Sequence, residues 1–333
     1  MIRVAINGFG RIGRSVCKIL WGYTDMEIVA INDLASVDNL AYLLKHDTNY
    51  GLWNVEVSAK KDALVMGSHA IPVFAEKDPS KLPWEALDVD VVLECTGLFL
   101  TEDLAMSHIK AGAKKVLLSA VAKEGDIPTY VCGVNDRDVG EDDHLIMSNA
   151  SCTTNCAAPV TAIIEEAFGI THAMLTTVHG YTASQALVDA PKKDWREGRA
   201  AAENMVPTIT GAAKAVAKTI LALQGKFDGL SIRVPLSTVS LADLVYVVKR
   251  SVTKEEVNAV FEKAALAERW KGILAISHEP LVSSDYRGNT YSCTVDAELT
   301  TVVGGTLVKV VAWYDNEWGY ANRLVDLARK AML

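Results

Sequence analysis

Three glycines near the N-terminus constrain this chain more than any other feature. Gly8, Gly10 and Gly13 follow a short β-branched run at residues 4–6 and precede an apolar helical pattern at Val16, Ile19 and Leu20. A GxGxxG spacing has a specific meaning when it stands between a strand and a helix. The turn is tight, the backbone approaches a ligand closely, and the helix packs against the strand, so each glycine is placed where a Cβ would obstruct. A pyrophosphate at such a turn meets unpaired N–H groups and the positive end of a helix dipole. A second strand, at residues 27–32, ends in Asp33, twenty positions after Gly13. That spacing suits a carboxylate that accepts hydrogen bonds from an adenosine ribose and repels a 2′-phosphate, which points to NAD rather than NADP. The plainer reading is a glycine-rich turn followed by an ordinary strand-end aspartate.

Strand and helix patterns keep alternating. Residues 89–93 and 115–118 are near-continuous apolar runs of the kind buried on both faces of a parallel sheet. Ligands of such sheets lie outside the carboxyl ends of the strands, which directs Thr96, Gly97 and Ser119 toward the cofactor, although Thr and Ser are also common loop residues. At 333 residues the chain exceeds the usual size of one core, so two domains are expected. The 33 Lys and Arg residues against 41 Asp and Glu give a net charge of -8, without a basic run able to follow a phosphate backbone, so nucleic acid is not expected as a main partner. No stretch approaches the ~18 uncharged residues of a membrane span, and the N-terminus carries no secretory pattern; the expected location is the cytoplasm. Six dispersed cysteines fit reduced thiols, and no metal site is expected, because Cys152 and Cys156 are not CxxC and His144 is the only nearby imidazole.

The second half carries the chemistry. In SNASCTTNC, residues 148–156, two thiols stand four positions apart among hydroxyls and amides. A helical pattern follows, interrupted by Pro159, so that the helix starts either near Ser151 or at Pro159 itself. In the first case Cys152 lies at a helix N-terminus, where the dipole favours thiolate. Ser151, Thr153 and Thr154 then supply hydroxyls for an oxyanion or a bound phosphate, while Cys156 packs as a small apolar residue. A strand at residues 174–178 ends in His179, the side chain suited to exchange protons with a thiol near neutral pH. The stretch from Thr208 to Lys214 sets Thr210 and Gly211 before a helical run, an arrangement that binds anions as well as capping a helix. Arg233, ending a strand at residues 229–234, can grip a phosphate bidentately or form a surface ion pair. Thr253 to Glu256 is a capping box, and the segment 323–332 is amphipathic. The run from Tyr314 to Tyr320 is dense in amide and aromatic groups that suit a flat amide-bearing ring, or a simple turn.

Taken together, NGFGRIG, SNASCTTNC, the stretch from His179 to Val216 and WYDNEWGY resemble the glyceraldehyde-3-phosphate dehydrogenase family over essentially the full length. The resemblance implies an α/β protein: a Rossmann dinucleotide-binding domain formed by 1–149 with 317–333, and an α+β catalytic domain with a mixed or antiparallel sheet at 150–316. It implies Cys152 as the nucleophile that forms a thiohemiacetal and then a thioester with glyceraldehyde 3-phosphate, and His179 as the acid/base. Inorganic phosphate then releases 1,3-bisphosphoglycerate. Thr182 and Arg233 match residues that hold the substrate's phosphate, and Ser151, Thr153, Thr210 and Gly211 match those for the attacking phosphate. Arg11, Ile12, Asp33, Lys77, Thr96, Ser119 and Asn316 match NAD contacts, and Tyr320 the aromatic beside the nicotinamide. A homotetramer is also implied, in which the segment from about Gly180 to Ala201 approaches a neighbour's cofactor.

This sequence departs from the family at Gly180, where Ala or Ser is usual, at Val121, where Pro is usual, and at Leu236-Ser237, where the usual pattern is Thr followed by a variable residue. Ala190-Pro191 stands between NAD-type and NADP-type patterns, and Asp33 decides for NAD. The competing readings are erythrose-4-phosphate dehydrogenase, whose pattern lacks the Tyr-Thr pair found here at 181–182 and the Thr-Gly-Ala-Ala stretch at 210–213, and a non-catalytic NAD-sensing protein, which would have lost Cys152 or His179.

Overall fold

A computed structural model describes residues 1–137, 139–140 and 144–333. The chain divides into two compact units. Met1–Tyr130, Asp136–Ala150 and Ala321–Leu333 form the first, and Val131–Asn135 with Ser151–Tyr320 form the second. The short crossing at Val131–Asn135 is absent from a division drawn at 149, and nothing in its composition announces it.

The first unit is built on β1 (Ile2–Asn7) and β2 (Met26–Asn32), joined by helix α1 (Arg11–Leu20), with α2 (Val37–Lys45) and a small hairpin of β3 (His46–Asp47) and β4 (Gly51–Leu52) following. Strands β5 (Val57–Lys60), β6 (Ala63–Met66) and β7 (His69–Phe74) come next, then β8 (Val91–Glu94), α3 (Glu102–Lys110), β9 (Lys115–Leu118) and β10 (Ile146–Ser148). The sheet order is β10-β9-β8-β1-β2-β7-β6-β5. Every pair from β10 to β7 is parallel, and only the β7–β6 and β6–β5 pairs at the edge are antiparallel. Strand order reverses between β1 and β8, the switch point where open α/β sheets take their ligands. All four residues of β8 are buried, as expected of a strand covered on both faces. Its core includes Trp84, Val92, Leu100, Ala105, Val116 and Leu118.

In the second unit α4 (Cys152–Phe168) starts at the nucleophile candidate and runs unbroken through Pro159, which settles the two alternatives for its start. It packs on a sheet of β11 (Ile170–Gly180), β12 (Val206–Ile209), β13 (Phe227–Val234), β14 (Ser240–Val248), β15 (Leu274–Ser277), β16 (Cys293–Asp296) and β18 (Leu307–Tyr314), with β17 (Thr301–Val303) paired to β18. The order is β12-β13-β11-β14-β18-β16-β15, mixed in direction, with β11 and β13 parallel. Along β11, Ala173, Leu175, Thr177 and His179 are buried, the period of two that sends alternate side chains to the helix-covered face. Helix α5 (Ala212–Thr219) precedes β13, α6 (Lys254–Ala265) begins with the capping box at Thr253 and Glu256, and α7 (Trp318–Ala331) closes the chain.

Candidate active site

The glycine turn shows why each glycine is there. A Cβ on Gly8, at φ 90°, would lie 2.7 Å from the Thr96 amide nitrogen, and one on Gly13 would collide with the Gly8 carbonyl. Gly10 differs: its Cβ would meet nothing within 4 Å. It is the N-cap of α1 and provides no side-chain cap bond, so the first turn of the helix begins at that space. Beside it lies a cavity of about 520 Å³ lined by Gly8, Gly10, Asp33, Lys77, Thr96 and Phe99, among others. Asp33 accepts hydrogen bonds from the Phe9 amide at 2.7 Å and the Ala35 amide at 2.9 Å, which fixes its carboxylate at the mouth of the turn. The donor set, the open cradle at Gly10 and the acidic residue fit a dinucleotide.

Other expected cofactor residues act less directly. The Arg11 guanidinium pairs with Asp47 at 2.6 Å and lies over the Tyr50 ring, leaving its backbone amide in the first turn of α1. Ile12 is half-buried in the same turn. The Thr96 hydroxyl donates inward to Glu94 and accepts from the Leu98 amide, so its proton is committed within the protein. Ser119 follows β9, its amide donating to the Glu94 carbonyl at 3.0 Å.

In the second unit, Cys152 Sγ lies 3.4 Å from His179 Nε2. The other ring nitrogen, Nδ1, stands 2.6 Å from the Gly180 carbonyl, which only accepts; Nδ1 therefore carries the proton and Nε2 presents a lone pair to the thiol. The protonation of both partners follows from their setting. Burial, then the positive charge of Arg233, pushes His179 down to about 3, against the upward pull of the Gly180 carbonyl. Burial pushes the Cys152 thiol up, and this outweighs Arg233, the Thr153 hydroxyl and the amides of Thr153 and Cys152, all of which favour the thiolate. Burial thus works against the charge that the helix terminus favours on the thiol and against protonation of the imidazole, an arrangement in which the proton can pass from sulfur to Nε2.

His179 and Arg233 are direct partners across the parallel β11–β13 pair, which is how residues 54 positions apart reach one site. Arg233 has no ion pair among the described residues, and its buried Nε has no hydrogen-bond partner. Ser151 is the N-cap of α4, accepting from the Thr154 amide at 3.1 Å and bonding the Thr154 hydroxyl at 2.7 Å. Thr182 Oγ1 bonds Ser184 Oγ at 3.0 Å, and Thr210 accepts from the Ala212 amide at 3.2 Å while exposed Gly211 leaves its neighbourhood open. Asn316 is oriented by relay: the Gly180 amide donates to Ser240 Oγ, whose proton goes to Asn316 Oδ1 at 2.9 Å, turning the NH₂ group away. Val239 holds a left-handed φ of 71° between Thr238 and Ser240, which bond consecutive Asp315 and Asn316. A β-branched residue tolerates that conformation only where its neighbours are tied. Tyr320 is buried at the start of α7.

Two residues were not singled out from the sequence. Tyr314 bonds the hydroxyls of Thr153 at 2.9 Å and Thr177 at 2.8 Å and presents an edge to the His179 ring. Gln185 accepts from the Thr182 amide at 3.2 Å while its buried Nε2 has no partner. The aromatic density around Tyr314 was the available signal; Gln185 had none beyond its distance from Thr182.

A chain with a dinucleotide cradle at a parallel switch point, and with a half-buried thiol facing a buried imidazole beside an arginine that has no ion pair among the described residues, falls in the class of NAD-dependent oxidoreductases that work through a cysteine. The comparisons with known proteins make the assignment specific. Residues 2–102 match the model of the glyceraldehyde 3-phosphate dehydrogenase NAD binding domain, and residues 151–316 match its C-terminal domain. The chain is 51% identical over 328 residues to glyceraldehyde-3-phosphate dehydrogenase 1 of Bacillus cereus, covering 98% of each. It is 51% identical over 327 residues to the Geobacillus stearothermophilus enzyme, covering 98% of this chain and 97% of that one. With chloroplastic glyceraldehyde-3-phosphate dehydrogenase B of Pisum sativum it shares 49% identity over 331 residues, 98% of this chain and 73% of the other. The chain belongs to the glyceraldehyde-3-phosphate dehydrogenase family. Among the described residues no helix is long and apolar enough to cross a membrane, and no group of three or more His, Cys, Asp or Glu residues is arranged to hold a metal ion.

Proposed function

We propose that this protein oxidises glyceraldehyde 3-phosphate to 1,3-bisphosphoglycerate with NAD and inorganic phosphate, through a covalent intermediate on Cys152. The observation that carries this reading is the Cys152 Sγ to His179 Nε2 approach of 3.4 Å, with the lone pair on the correct nitrogen. As Cys152 attacks the aldehyde carbon, its proton passes to Nε2 and an S–C bond forms, giving a thiohemiacetal. The Cys152 and Thr153 amides at the start of α4 face the sulfur and suit the developing oxyanion. His179 returns that proton to the oxyanion, completing the hydroxyl of the thiohemiacetal, and takes it back as the carbon loses hydride, for which NAD, when bound, would supply the acceptor. Phosphate attacks the resulting thioester, the C–S bond breaks, and Cys152 leaves as thiolate and regains the proton held on His179 Nε2.

Arg233 and Thr182 take the substrate's phosphate, and Ser151, Thr153, Thr210 and Gly211 serve the attacking phosphate. Residues 1–149 with 317–333 act as the cofactor domain and 150–316 as the catalytic domain. Gly8, Gly10, Arg11, Ile12, Gly13, Asp33, Lys77, Thr96 and Ser119 serve the cofactor from the first, with Asn316 and Tyr320 completing the set. Six free cysteines suit a reducing cytoplasm, and the exposed segment around Leu187, Val188 and Trp195 suits burial in a homotetramer.

The test is NAD reduction by the purified protein with glyceraldehyde 3-phosphate, with and without phosphate, and with erythrose 4-phosphate in parallel. Sustained turnover that needs phosphate or arsenate, and a stalled burst without it, supports the reading. Phosphate-independent turnover, or preference for the four-carbon sugar, overturns it.

A further inference from the structure

A connected set of buried polar side chains runs beneath the cofactor cavity. Its centre is Glu94, fully buried at the end of β8. Four donors converge on its carboxylate. Oε1 accepts from the Thr96 amide at 2.7 Å and from the Thr96 hydroxyl, and Oε2 accepts from Asn7 Nδ2 at 2.5 Å and from His108 Nε2 at 3.2 Å. The last bond depends on the far side of the imidazole. Trp84 Nε1–H, which only donates, reaches His108 Nδ1 at 3.0 Å, so Nδ1 accepts and Nε2 carries the proton. Asn7 Nδ2 and His108 Nε2 stand 3.4 Å apart as two donors to one oxygen rather than as a bonded pair.

The connections continue across the sheet. Asn7 Oδ1 accepts from Asn32 Nδ2 at 2.7 Å, and Asn32 bonds the backbone of Glu76 through both amide atoms at 2.9 Å. One hydrogen-bonded chain therefore ties the carboxyl ends of β8, β1 and β2 to the segment after β7. Asn7, Asn32, Glu76 and Thr96 line the cavity; Glu94, His108 and Trp84 do not. The glycine turn depends on the same spacing, since Gly8 packs within a Cβ's reach of the Thr96 amide that Glu94 holds.

We propose that Glu94, oriented by His108 and Trp84, is a positioning residue for the cofactor: it fixes the distance between the glycine turn and the wall at Thr96 before the dinucleotide enters. Polar groups locked by a surrounding shell spare a ligand the ordering it would otherwise impose. The test is calorimetric titration of the full-length protein with NAD and with ADP-ribose. Glu94→Gln replaces one acceptor oxygen by a donor, leaving two protein donors unmatched, and should raise the NAD Kd about tenfold. ADP-ribose should lose the same factor, because the chain of bonds lies under Gly8, Gly10 and Asp33, the part of the fingerprint that serves the ADP half. Trp84→Phe keeps an aromatic ring of smaller volume, removes the N–H donor, frees His108 Nδ1 and permits the other tautomer; at two positions' remove from the cavity it should raise both Kd values about threefold. Alkylation of Cys152 by iodoacetamide without nucleotide should keep its rate in both variants. If NAD and ADP-ribose affinities stay within about twofold of the parent while the melting point falls, the residues are structural only and the proposal fails. An effect on NAD that ADP-ribose does not share also overturns it. If Glu94→Gln does not fold, Trp84→Phe decides alone.

Discussion

The two units treat their buried polar groups in opposite ways. Around the cofactor cavity nearly every such group is satisfied within the protein: Glu94 has four donors, the Thr96 hydroxyl both donates and accepts, and Asp33 takes two amides. Around Cys152 and His179 the reverse holds. Arg233 Nε and Gln185 Nε2 are buried without partners, and burial disfavours the charged forms of the thiol and the imidazole. Unmatched buried groups cost stability, on the order of 1–3 kcal/mol each. They are tolerable where a charged ligand completes them in every turnover. The polar groups at the first unit's cavity are closed among themselves, whereas the open nitrogens near Cys152 suit the proposed binding of a phosphorylated substrate.

Breaking the nucleophile should separate the units most sharply. Cys152→Ser is expected to cut turnover by at least ~10⁴-fold, since the hydroxyl ionises far less readily, while leaving NAD affinity in place. Steady-state rates and nucleotide titration on one preparation check both halves. Removing the open cation comes next. Arg233→Ala should lower kcat/KM for glyceraldehyde 3-phosphate about a hundredfold, through loss of charge-assisted bonds, but much less for unphosphorylated glyceraldehyde. Equal losses on the two substrates would move Arg233 out of the phosphate site.

The neutral imidazole gives a smaller, pH-dependent signature. Its folded-state pKa, about 3, lies below the ordinary 6.5, so between those values the unfolded chain binds the extra proton. His179 therefore favours the folded state fully above pH 6.5 and progressively less as the pH falls toward 3. Denaturant midpoints at pH 7.5 and 4.5 should drop more for the parent than for His179→Asn. The smallest effect is expected at Gly180, where an added Cβ would lie 3.0 Å from the Leu236 carbonyl. Gly180→Ala should cost about 1 kcal/mol of stability and raise KM for the phosphorylated aldehyde about threefold as that loop gives way. An unchanged melting point and KM would show that the loop yields freely.

Gly180 also shows what a single sequence conceals. It and Leu236 read as two separate departures from the family, yet the structure sets them against each other, with the Tyr181 amide bonding the Leu236 carbonyl at 2.9 Å. The larger features were legible because each has a local cause: glycine spacing marks the turn, β-branched runs mark strands, and the box at Thr253 and Glu256 starts α6. The family resemblance supplied the return of the C-terminal segment to the first unit. Long-range pairing left no local trace. Trp84, His108 and Glu94 are three unremarkable positions until the sheet brings them together, and Tyr314 acquires its role only because β18 passes beneath Thr153 and Thr177. The setting of the Cys152 thiol is legible only in part, for a related reason. A helix terminus is visible in sequence, whereas the burial that outweighs it is a property of the folded neighbourhood.

The register of β11 on β13 bears on how such an enzyme could come to accept a longer or shorter substrate. His179 and Arg233 face each other across the ladder, and strand geometry allows the next inward position on β13, Ser231, only at a step of about 6.6 Å. One carbon of substrate is far shorter than that step. Neither selection nor design can therefore retune chain-length preference by sliding the strands. It must act on the segments after them, at Thr182 and Leu236, which lie outside the ladder and are not bound to its two-residue step.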